Sequence, residues 1–407
     1  MDCEGNSLRT PPPTLFNPLK DQLPAAERWK ECLQGLAFRD PSKFIAGGLH
    51  DHLDQWDSLV DIVNNEQSVE FRKCLRDKVD IFDYFKPFKG NFFGLHLDSD
   101  IPPKCILPNY ASCEQYGPII AEQLHERIKN GSMELVGKIG EVDPPHLVMP
   151  LVVVSQRDKI RLCHDERLLN LFMVHKPFML EGLAQIPAML CQGDKIASSD
   201  EKSAYDGVLI SPRSRTFFGL QFGGWYLQYR TLPFGWSISL YIYQSIGMQL
   251  TSYLRSLGIK TIQYLDDRFL GPYLSQSDVT EHATGLSIFM NAAILSNLGY
   301  TIAMEKSIWL PSNCIRYLGL LVDATVRCFR IPADKKEAFK TLRDSILSQK
   351  SVNILTLQKF MGKCMSLSLC VPAAKLYIRV MASAIGKAEK SSQSIPIRGD
   401  LKDEIKE

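Results

Sequence analysis

The chain has 407 residues, of which 45% are hydrophobic and 23% charged, an ordinary globular composition with room for two or three compact units. Its 47 Lys and Arg nearly balance its 45 Asp and Glu, so bulk charge does not predict a nucleic-acid partner, and any such partner would have to be bound by local basic patches. No apolar run reaches the roughly 18 residues of a membrane-spanning helix, so no membrane partner is expected.

The cysteines argue against a secreted protein. Eleven of them are spread from Cys3 to Cys370, with no CxxC pair and no Cys/His cluster at zinc spacing. The chain also opens without the charged and then apolar segment of a secretory signal. These features predict reduced thiols and an intracellular location, in the cytoplasm or the nucleus.

The first quarter of the chain gives weak structural signals. Residues 1–25, with three prolines at Pro11–Pro13, are expected to form a mobile leader. Residues 26–118 are expected to form a helical and irregular region, in which the aromatic and proline-rich stretch Phe82–Pro118 packs over a neighbouring domain. The spacing of apolar residues first becomes regular at Ile119–Lys129, which is predicted to be a helix.

Strand and helix patterns alternate in the rest of the chain. Three hairpins are predicted, joining Met149–Val154 to Ile160–His164, Thr216–Phe222 to Trp225–Tyr229, and Thr261–Leu265 to Arg268–Leu270 through the tip Asp266-Asp267. Four longer helices are predicted at Trp236–Leu254, Gln276–Leu298, Asp334–Ser348 and Thr356–Leu369. Because the elements are interleaved without βαβ regularity, the sequence predicts an α+β fold.

Two groups of carboxylates are candidates for chemistry. Asp266 and Asp267 are adjacent at a predicted hairpin tip, where they would repel each other and favour a hard cation such as Mg²⁺. The dipeptide alone fits an ordinary turn better. However, Asp200 also follows a short strand, and carboxylates from separate strands could hold two ions about 4 Å apart, as two-metal phosphoryl transfer requires.

A turn is predicted between these carboxylates, at Leu232-Pro233-Phe234-Gly235. Proline and Gly235 favour a tight turn whose backbone could approach a base pair closely. Taken by itself, this string is a connector between a strand and the long helix that follows.

In this order the strings resemble the reverse transcriptase family. Five segments are most similar in sequence to DIRS-like retrotransposons, which carry a tyrosine recombinase. They are RLCHDERLLN, SRTFFGLQFGGWY, TLPFGW, QYLDDR and SLSLCVPAAKLYIR. The resemblance covers about 119–407. It implies a right-hand polymerase fold, with fingers and palm containing an antiparallel sheet at 119–325, a helical thumb or connection-like region at 326–385, and a tail at 386–407 similar to an interrupted lead-in to RNase H.

The resemblance also implies roles for the residues of the catalytic centre. Asp200 and Asp266 would coordinate two Mg²⁺ ions, Asp267 would support the second ion, and the backbone carbonyl of Glu201 would assist. Tyr205 matches the steric gate that excludes a ribose 2′-hydroxyl and so selects deoxynucleotides. The alternative for Tyr205 is an ordinary core aromatic.

Further residues are implied to bind or assist the nucleotide. Arg161 matches an arginine that lies across the incoming base and reaches its phosphates, and Gly235 belongs to the close-approach turn. A lysine that the family usually has before the fingers turn is missing, and Arg157 is its candidate replacement. Lys306 matches a lysine that could protonate the leaving pyrophosphate. Solvated arginines and a surface lysine are the alternatives.

The resemblance thus implies an RNA-directed DNA polymerase whose partners are dNTPs and an RNA or DNA template–primer duplex. Between Arg327 and Met365, nine Lys and Arg face three Asp and Glu, which suits a thumb that grips the duplex or a merely solvated helical face. One rival interpretation is an inactive, retroelement-derived nucleic-acid-binding protein. Another is an RNA-copying RNA polymerase, against which Tyr205 argues.

Overall fold

The computed structural model describes residues 22–156, 159–274, 279–391 and 394–406. The described residues form two compact units, the first from those within Met1–Glu181 and Ala197–Pro311 and the second from those within Gly182–Ile196 and Ser312–Glu407. Each unit has its own hydrophobic core. Of the chain's proposed leader, residues 1–21 lie outside the described residues.

The helices are numbered in chain order. They are α1 Trp29–Gln34, α2 Leu53–Val63, α3 Ser68–Asp77, α4 Ser112–Gln115, α5 Gly117–Lys129, α6 Arg167–Leu171, α7 Ile186–Met189, α8 Ser237–Ser256, α9 Thr280–Asn297, α10 Ala333–Leu347, α11 Ile354–Ser366, α12 Arg379–Ser391 and α13 Asp400–Lys406. Among the described residues, no helix is both long enough and apolar enough to cross a membrane.

The strands are short. They are β1 Phe88–Phe92, β2 Leu95–Ser99, β3 Cys105–Ile106, β4 Met133–Lys138, β5 Leu147–Val148, β6 Leu151–Gln156, β7 Lys159–His164, β8 Ile196–Asp200, β9 Gly219–Phe222, β10 Trp225–Tyr229, β11 Ile259–Tyr264, β12 Asp267–Tyr273, β13 Ile308–Ser312, β14 Cys314–Tyr317, β15 Leu320–Asp323, β16 Cys328–Arg330, β17 Ser351–Val352 and β18 Ile395–Pro396.

The strands pair mostly in antiparallel fashion. In the first unit, β1–β2 and β6–β7 are hairpins, and a five-stranded sheet has the order β3-β5-β9-β10-β4. A four-stranded sheet has the order β11-β12-β8-β13, so β8 lies beside β12 although 66 residues separate Asp200 from Asp266 in the chain. In the second unit, β14-β15-β16 form a small sheet and β17 pairs with β18.

Two long helices cover the four-stranded sheet, α8 against β11 and α9 against β12. Every residue of α9 from Ala283 to Ser296 is buried, as expected of a helix that is apolar or small all round. Glycine permits the close contacts: a Cβ at Gly285 would lie 2.2 Å from the Trp29 ring, and one at Gly247 would lie 1.9 Å from the Gln263 amide. The sheet is therefore held on rigid, buried supports.

The second unit is mainly helical. Its core is formed by apolar residues of α10–α13 together with the β17–β18 pair, and includes Phe360, Met381 and Leu401. The rings of Phe339 and Phe360 stack with their centroids 5.1 Å apart. These helices confirm the amphipathic patterns predicted near the end of the chain, with ends shifted by one to three residues.

Most predicted elements are present, and the differences have local causes. The strand predicted from Thr216 begins at Gly219, because Pro212–Phe217 form a 3₁₀ helix that begins with a proline. The stretch Phe82–Pro118 is not simply irregular, since it contains the β1–β2 hairpin. That hairpin turns at Phe93-Gly94, both with positive φ, and a phenylalanine in this conformation carries no turn signal in the sequence.

Candidate active site

The three proposed metal ligands lie together at one edge of the four-stranded sheet. Asp200 is the last residue of β8, Asp267 is the first residue of β12, and the two are register partners. The β11–β12 turn is Leu265-Asp266 rather than the predicted Asp266-Asp267, because β12 already begins at Asp267. Leu265 has a φ of +55°, which is uncommon for leucine and explains the one-residue error.

Backbone hydrogen bonds fix the strand ends that carry these carboxylates. The amide of Glu201 donates to the carbonyl of Asp266 at 3.0 Å, which joins the end of β8 to the turn. The Asp200 carbonyl accepts from the Ala303 amide at 2.9 Å, and the Asp200 amide donates to Ser307 Oγ at 3.1 Å. The carboxylates are therefore carried by backbone that is bonded on both sides.

The carboxylates perturb one another. Burial raises the pKa of Asp266, and the charge of Asp200 raises it further. Burial, together with the charges of Asp266 and Asp200, raises the pKa of Asp267 to about 6. Since like charges in a shared site oppose ionisation, a bound cation would relieve this repulsion.

Lys306 contributes a positive charge to the site. Its Nζ lies 3.1 Å from Oδ1 of Asp200, although its side chain is 62% exposed. Burial lowers the pKa of Lys306, but the hydrogen bond and charge of Asp200 outweigh that effect and raise it. The lysine predicted to assist the leaving group is thus brought to the carboxylates.

The donor set fits a hard divalent cation. Carboxylate oxygens are the ligands that Mg²⁺ prefers, and in polymerase-type sites it is held by one or two carboxylates together with waters and substrate phosphates rather than by a complete protein cage. In the described part of the chain, no group of three or more His, Cys, Asp or Glu side chains has the geometry of a metal site.

Tyr205 lies beside the carboxylates in a 3₁₀ turn, Ala204–Gly207, and is largely buried. Burial and the charge of Asp266 raise the pKa of its hydroxyl. Its ring centroid is 4.7 Å from that of Phe234 and 5.3 Å from that of Tyr243. Phe234, which the sequence analysis treated only as part of a turn, is 55% exposed and extends the aromatic surface that Tyr205 begins.

Gly235 occupies the turn before α8 with a φ of +109°. A Cβ there would lie 2.6 Å from the carbonyl oxygen of His164 in β7, so the close approach requires glycine. Asn170 clamps this turn, because its amide donates to the Gly235 carbonyl at 2.8 Å and its oxygen accepts from the Ser237 amide at 2.9 Å. The turn is thus fixed against the β6–β7 hairpin.

Only one of the two arginines proposed for the nucleotide phosphates lies within the described residues. Arg161 is exposed on β7, where it pairs in register with Val154. Arg157, the candidate replacement for the lysine, lies outside the described residues. The predicted β6–β7 hairpin itself is present.

A buried polar cluster beneath the carboxylates was not found from the sequence. Glu201 turns its carboxylate inward, 3.6 Å from the Arg268 guanidinium, and accepts a hydrogen bond from Tyr243. Burial raises the pKa of Glu201 to about 7, although Arg268 and Tyr243 act in the opposite direction. The available signal was a charged residue, Arg268, between Asp267 and the apolar remainder of β12.

The fold is that of a reverse transcriptase polymerase, which confirms the predicted α+β class. Three similar structures are of the foamy viral protease-reverse transcriptase: a dRH form in complex with double-stranded DNA (17% identity, TM-score 0.59), a complex with an RNA/DNA hybrid (16%, 0.60) and another with double-stranded DNA (17%, 0.56). Each match covers 87% of this chain, and 58%, 45% and 70% of the respective viral chain. The chain thus spans about half the length of the first two.

The match to a known family lies in the central part of the sequence. Residues 157–322 match the model described as "Reverse transcriptase (RNA-dependent DNA polymerase)", a span that contains the three aspartates, Gly235 and Lys306. This central span is therefore similar to a reverse transcriptase domain. No curated protein sequence matches the chain.

The raised pKa of Asp267 predicts how metal-free protein responds to pH. A carboxyl whose folded pKa exceeds its unfolded value stabilises the fold below the unfolded pKa, and that contribution is lost as the pH rises through the folded pKa, here about 6. Between about pH 4 and pH 7 we expect ionisation of Asp267 to reduce the free energy of unfolding by about 1 kcal/mol, after allowance for solvent screening.

Urea unfolding in EDTA, performed on wild type and Asp267→Asn across this pH range, measures the effect. The variant should gain stability relative to wild type as the pH rises. The exposed Asp100→Asn serves as the control and should follow wild type. Parallel curves for wild type and Asp267→Asn would show that the pKa of Asp267 is not raised in the folded protein.

Proposed function

We propose that the chain is an RNA-directed DNA polymerase that adds dNTPs to a primer 3′ end on an RNA or DNA template. The observation that carries this proposal is the register pairing of Asp200 with Asp267 beside the Asp266 turn. It supports the proposal because two-metal nucleotidyl transfer needs carboxylates from neighbouring strands. The matched family model supports the same reaction.

Asp200, Asp266 and Asp267 would hold two Mg²⁺ ions in this proposal. When bound, the ions would activate the primer 3′-hydroxyl and neutralise charge on the departing pyrophosphate. The raised pKa values of Asp266 and Asp267 support this assignment, because bound cations would offset the negative charge that raises them. Lys306, bonded to Asp200, neutralises part of the negative charge and could donate a proton to the leaving group.

Sugar selection is assigned to Tyr205. Its ring is held between Phe234 and Tyr243, so it cannot move aside easily when a nucleotide binds next to Asp266. A fixed ring at this place would clash with a 2′-hydroxyl, which favours dNTPs over rNTPs. This argues against an RNA-copying RNA polymerase.

The template–primer duplex would be bound through its phosphates, because base pairing itself reads the template. The similar foamy viral structures are complexes with double-stranded DNA or an RNA/DNA hybrid. In the second unit, Lys336 and Lys340 are exposed four residues apart on α10, and Lys359 is exposed on α11. These lysines support a basic surface that binds the phosphates of a nucleic-acid backbone.

A retrotransposon of the DIRS-like group is the proposed source, on the strength of the strings quoted above. Elements of that group encode RNase H and a tyrosine recombinase after the polymerase. The nucleotide sequence downstream of the codon for Glu407 should therefore contain both reading frames. An integrase frame in place of the recombinase would assign the chain to another group.

Replacing a metal ligand should abolish catalysis without releasing the duplex. Asp266→Asn, and likewise Asp200→Asn, should reduce primer extension on poly(rA)/oligo(dT) with Mg²⁺ at least about a hundredfold, because metal ligation and not duplex contact is lost. Fluorescence anisotropy should show a duplex Kd close to that of wild type. The exposed Asp77→Asn is the matched control.

Wild-type protein that binds the duplex but extends no primer would support the inactive, nucleic-acid-binding alternative. An Asp266→Asn variant with more than a few per cent of wild-type rate at saturating dNTP would contradict the two-metal assignment.

Removing the Tyr205 ring should relax sugar selection. Tyr205→Val should raise rNTP relative to dNTP incorporation by about a hundredfold, since a steric clash of a few kcal/mol is relieved and each ~1.4 kcal/mol is tenfold. Tyr205→Phe keeps the ring and should behave like wild type. Competitive single-nucleotide extension measures both ratios, and an unchanged ratio in Tyr205→Val would return Tyr205 to the core-aromatic interpretation.

The triphosphate contact can be tested at the β6–β7 hairpin. Arg161→Ala should raise the dNTP KM roughly ten- to a hundredfold, because a charge-assisted phosphate contact is worth ~1.5–3 kcal/mol, with little change in duplex affinity. Arg157→Ala should have a similar or smaller effect. Arg213→Ala, which removes an exposed arginine paired with Asp80, is the control. If Arg161→Ala keeps the wild-type KM, Arg161 is a solvated residue.

A further inference from the structure

A buried ion pair lies directly beneath the proposed metal ligands. Glu201 follows Asp200 in the chain and Arg268 follows Asp267, and these two side chains are 1% and 0% exposed. Taking two charges out of water costs free energy that their attraction often fails to offset, so apolar residues of similar size would stabilise the fold as well or better. Stability alone therefore does not explain the pair.

The guanidinium of Arg268 joins three elements of the site. Its Nη1 donates to Thr251 Oγ1 in α8 at 2.6 Å, and its Nη2 donates to Gln263 Oε1 in β11 at 3.2 Å. The Gln263 amide in turn donates to the Leu265 carbonyl at 2.8 Å. Arg268 thus connects β12 to the turn that carries Asp266.

Gln244 of α8 completes the support of this turn. Its side-chain oxygen accepts from the Leu265 amide at 3.0 Å, while its amide donates to the Gln263 carbonyl at 3.2 Å. Both backbone polar groups of Leu265 are therefore bonded to buried side chains. Such support would hold the residue in its uncommon positive-φ conformation.

Glu201 makes the corresponding connections from β8. Its backbone amide donates to the Asp266 carbonyl at 3.0 Å, and its carboxylate accepts from the hydroxyl of Tyr243 in α8. The 3.6 Å contact between Glu201 Oε1 and Arg268 Nη2 links the end of β8 to β12. Each member of the pair is thereby bound both to its partner and to the helix behind the sheet.

We propose that Glu201 and Arg268 are positioning residues that hold Asp200, Asp266 and Asp267 in the arrangement required to bind divalent cations. The inference rests on the proposed function. Neither side chain needs to touch substrate or metal, because each acts through the strand end that carries the neighbouring aspartate. Loss of one partner would leave a buried charge unpaired and let the strand ends shift.

The test uses the full chain and combines four assays. Five variants are compared with wild type: Arg268→Leu, Glu201→Leu, the double variant, and the conservative Arg268→Lys and Glu201→Gln. Mn²⁺ binding is followed by the electron paramagnetic resonance signal of the free ion, kcat and KM by single-nucleotide extension, duplex Kd by anisotropy, and folding by thermal unfolding. Mn²⁺ serves as the probe for the Mg²⁺ site.

Arg268→Leu should weaken Mn²⁺ binding at least about tenfold and lower kcat at least about a hundredfold, with duplex Kd within about threefold of wild type. Arg268→Lys, which keeps the charge, should recover most of the Mn²⁺ affinity. The double variant should be no worse than Arg268→Leu alone, because it contains no unpaired buried charge.

Arg215→Leu provides the matched control. Arg215 is also a buried arginine of the first unit, 3.0 Å from Glu134, but it lies in the turn before β9. This control should lower the unfolding midpoint and leave Mn²⁺ affinity unchanged. If folded Arg268→Leu likewise keeps wild-type Mn²⁺ affinity, the pair is only structural and the proposal is wrong.

The remaining outcomes are also decisive. Should Arg268→Leu fail to fold, Glu201→Gln decides: the proposal expects Mn²⁺ binding at least about threefold weaker, and unchanged affinity overturns it. Wild-type protein that binds Mn²⁺ but extends no primer would overturn the polymerase proposal and leave the positioning role standing. Wild-type protein that binds no Mn²⁺ would overturn both.

Discussion

Repulsion among three carboxylates is the constraint on which the first unit depends. Asp200, Asp266 and Asp267 lie at one sheet edge, where burial and their mutual charge raise the pKa of Asp266 and Asp267. In an unfolded chain the three carboxylates could move apart. Here the register of β8 with β12 and the two-residue turn before Asp267 prevent it, so the fold keeps an unfavourable charge arrangement that protonation, Lys306 or a bound cation can relieve.

The supports of that arrangement are correspondingly rigid. Two buried helices, α8 and α9, pack on the sheet, and glycines at 247 and 285 allow contact too close for a side chain. Polar side chains of α8 then reach under the turn, which an all-apolar helix could not do. The same helix therefore buries the sheet and supports the edge that carries the three aspartates, and this is why its sequence mixes glutamine and tyrosine with leucine and isoleucine.

Local patterns predicted the elements well, whereas long-range pairing was less accessible. The order of the strings around Asp200, Gly235 and Asp266 predicted that the carboxylates converge, because each lay at a strand end. The sequence could not show that Glu201 and Arg268 face each other, since that depends on which side of β8 and β12 each points to. The Leu265 turn and the Phe93-Gly94 turn were misplaced or missed because residues with positive φ other than glycine, asparagine and aspartate give no signal.

Two basic side chains, Lys306 and Arg268, lie close to the aspartates, and they differ in their exposure to solvent. Lys306 bonds Asp200 with most of its side chain exposed, so water can compete for this contact. Arg268 is fully buried, and its partners lie on α8, β11 and the residue after Asp200. An exposed ammonium can exchange its carboxylate partner for water or another ligand, whereas a buried guanidinium cannot, so Arg268 rather than Lys306 suits a constant geometry beneath the aspartates.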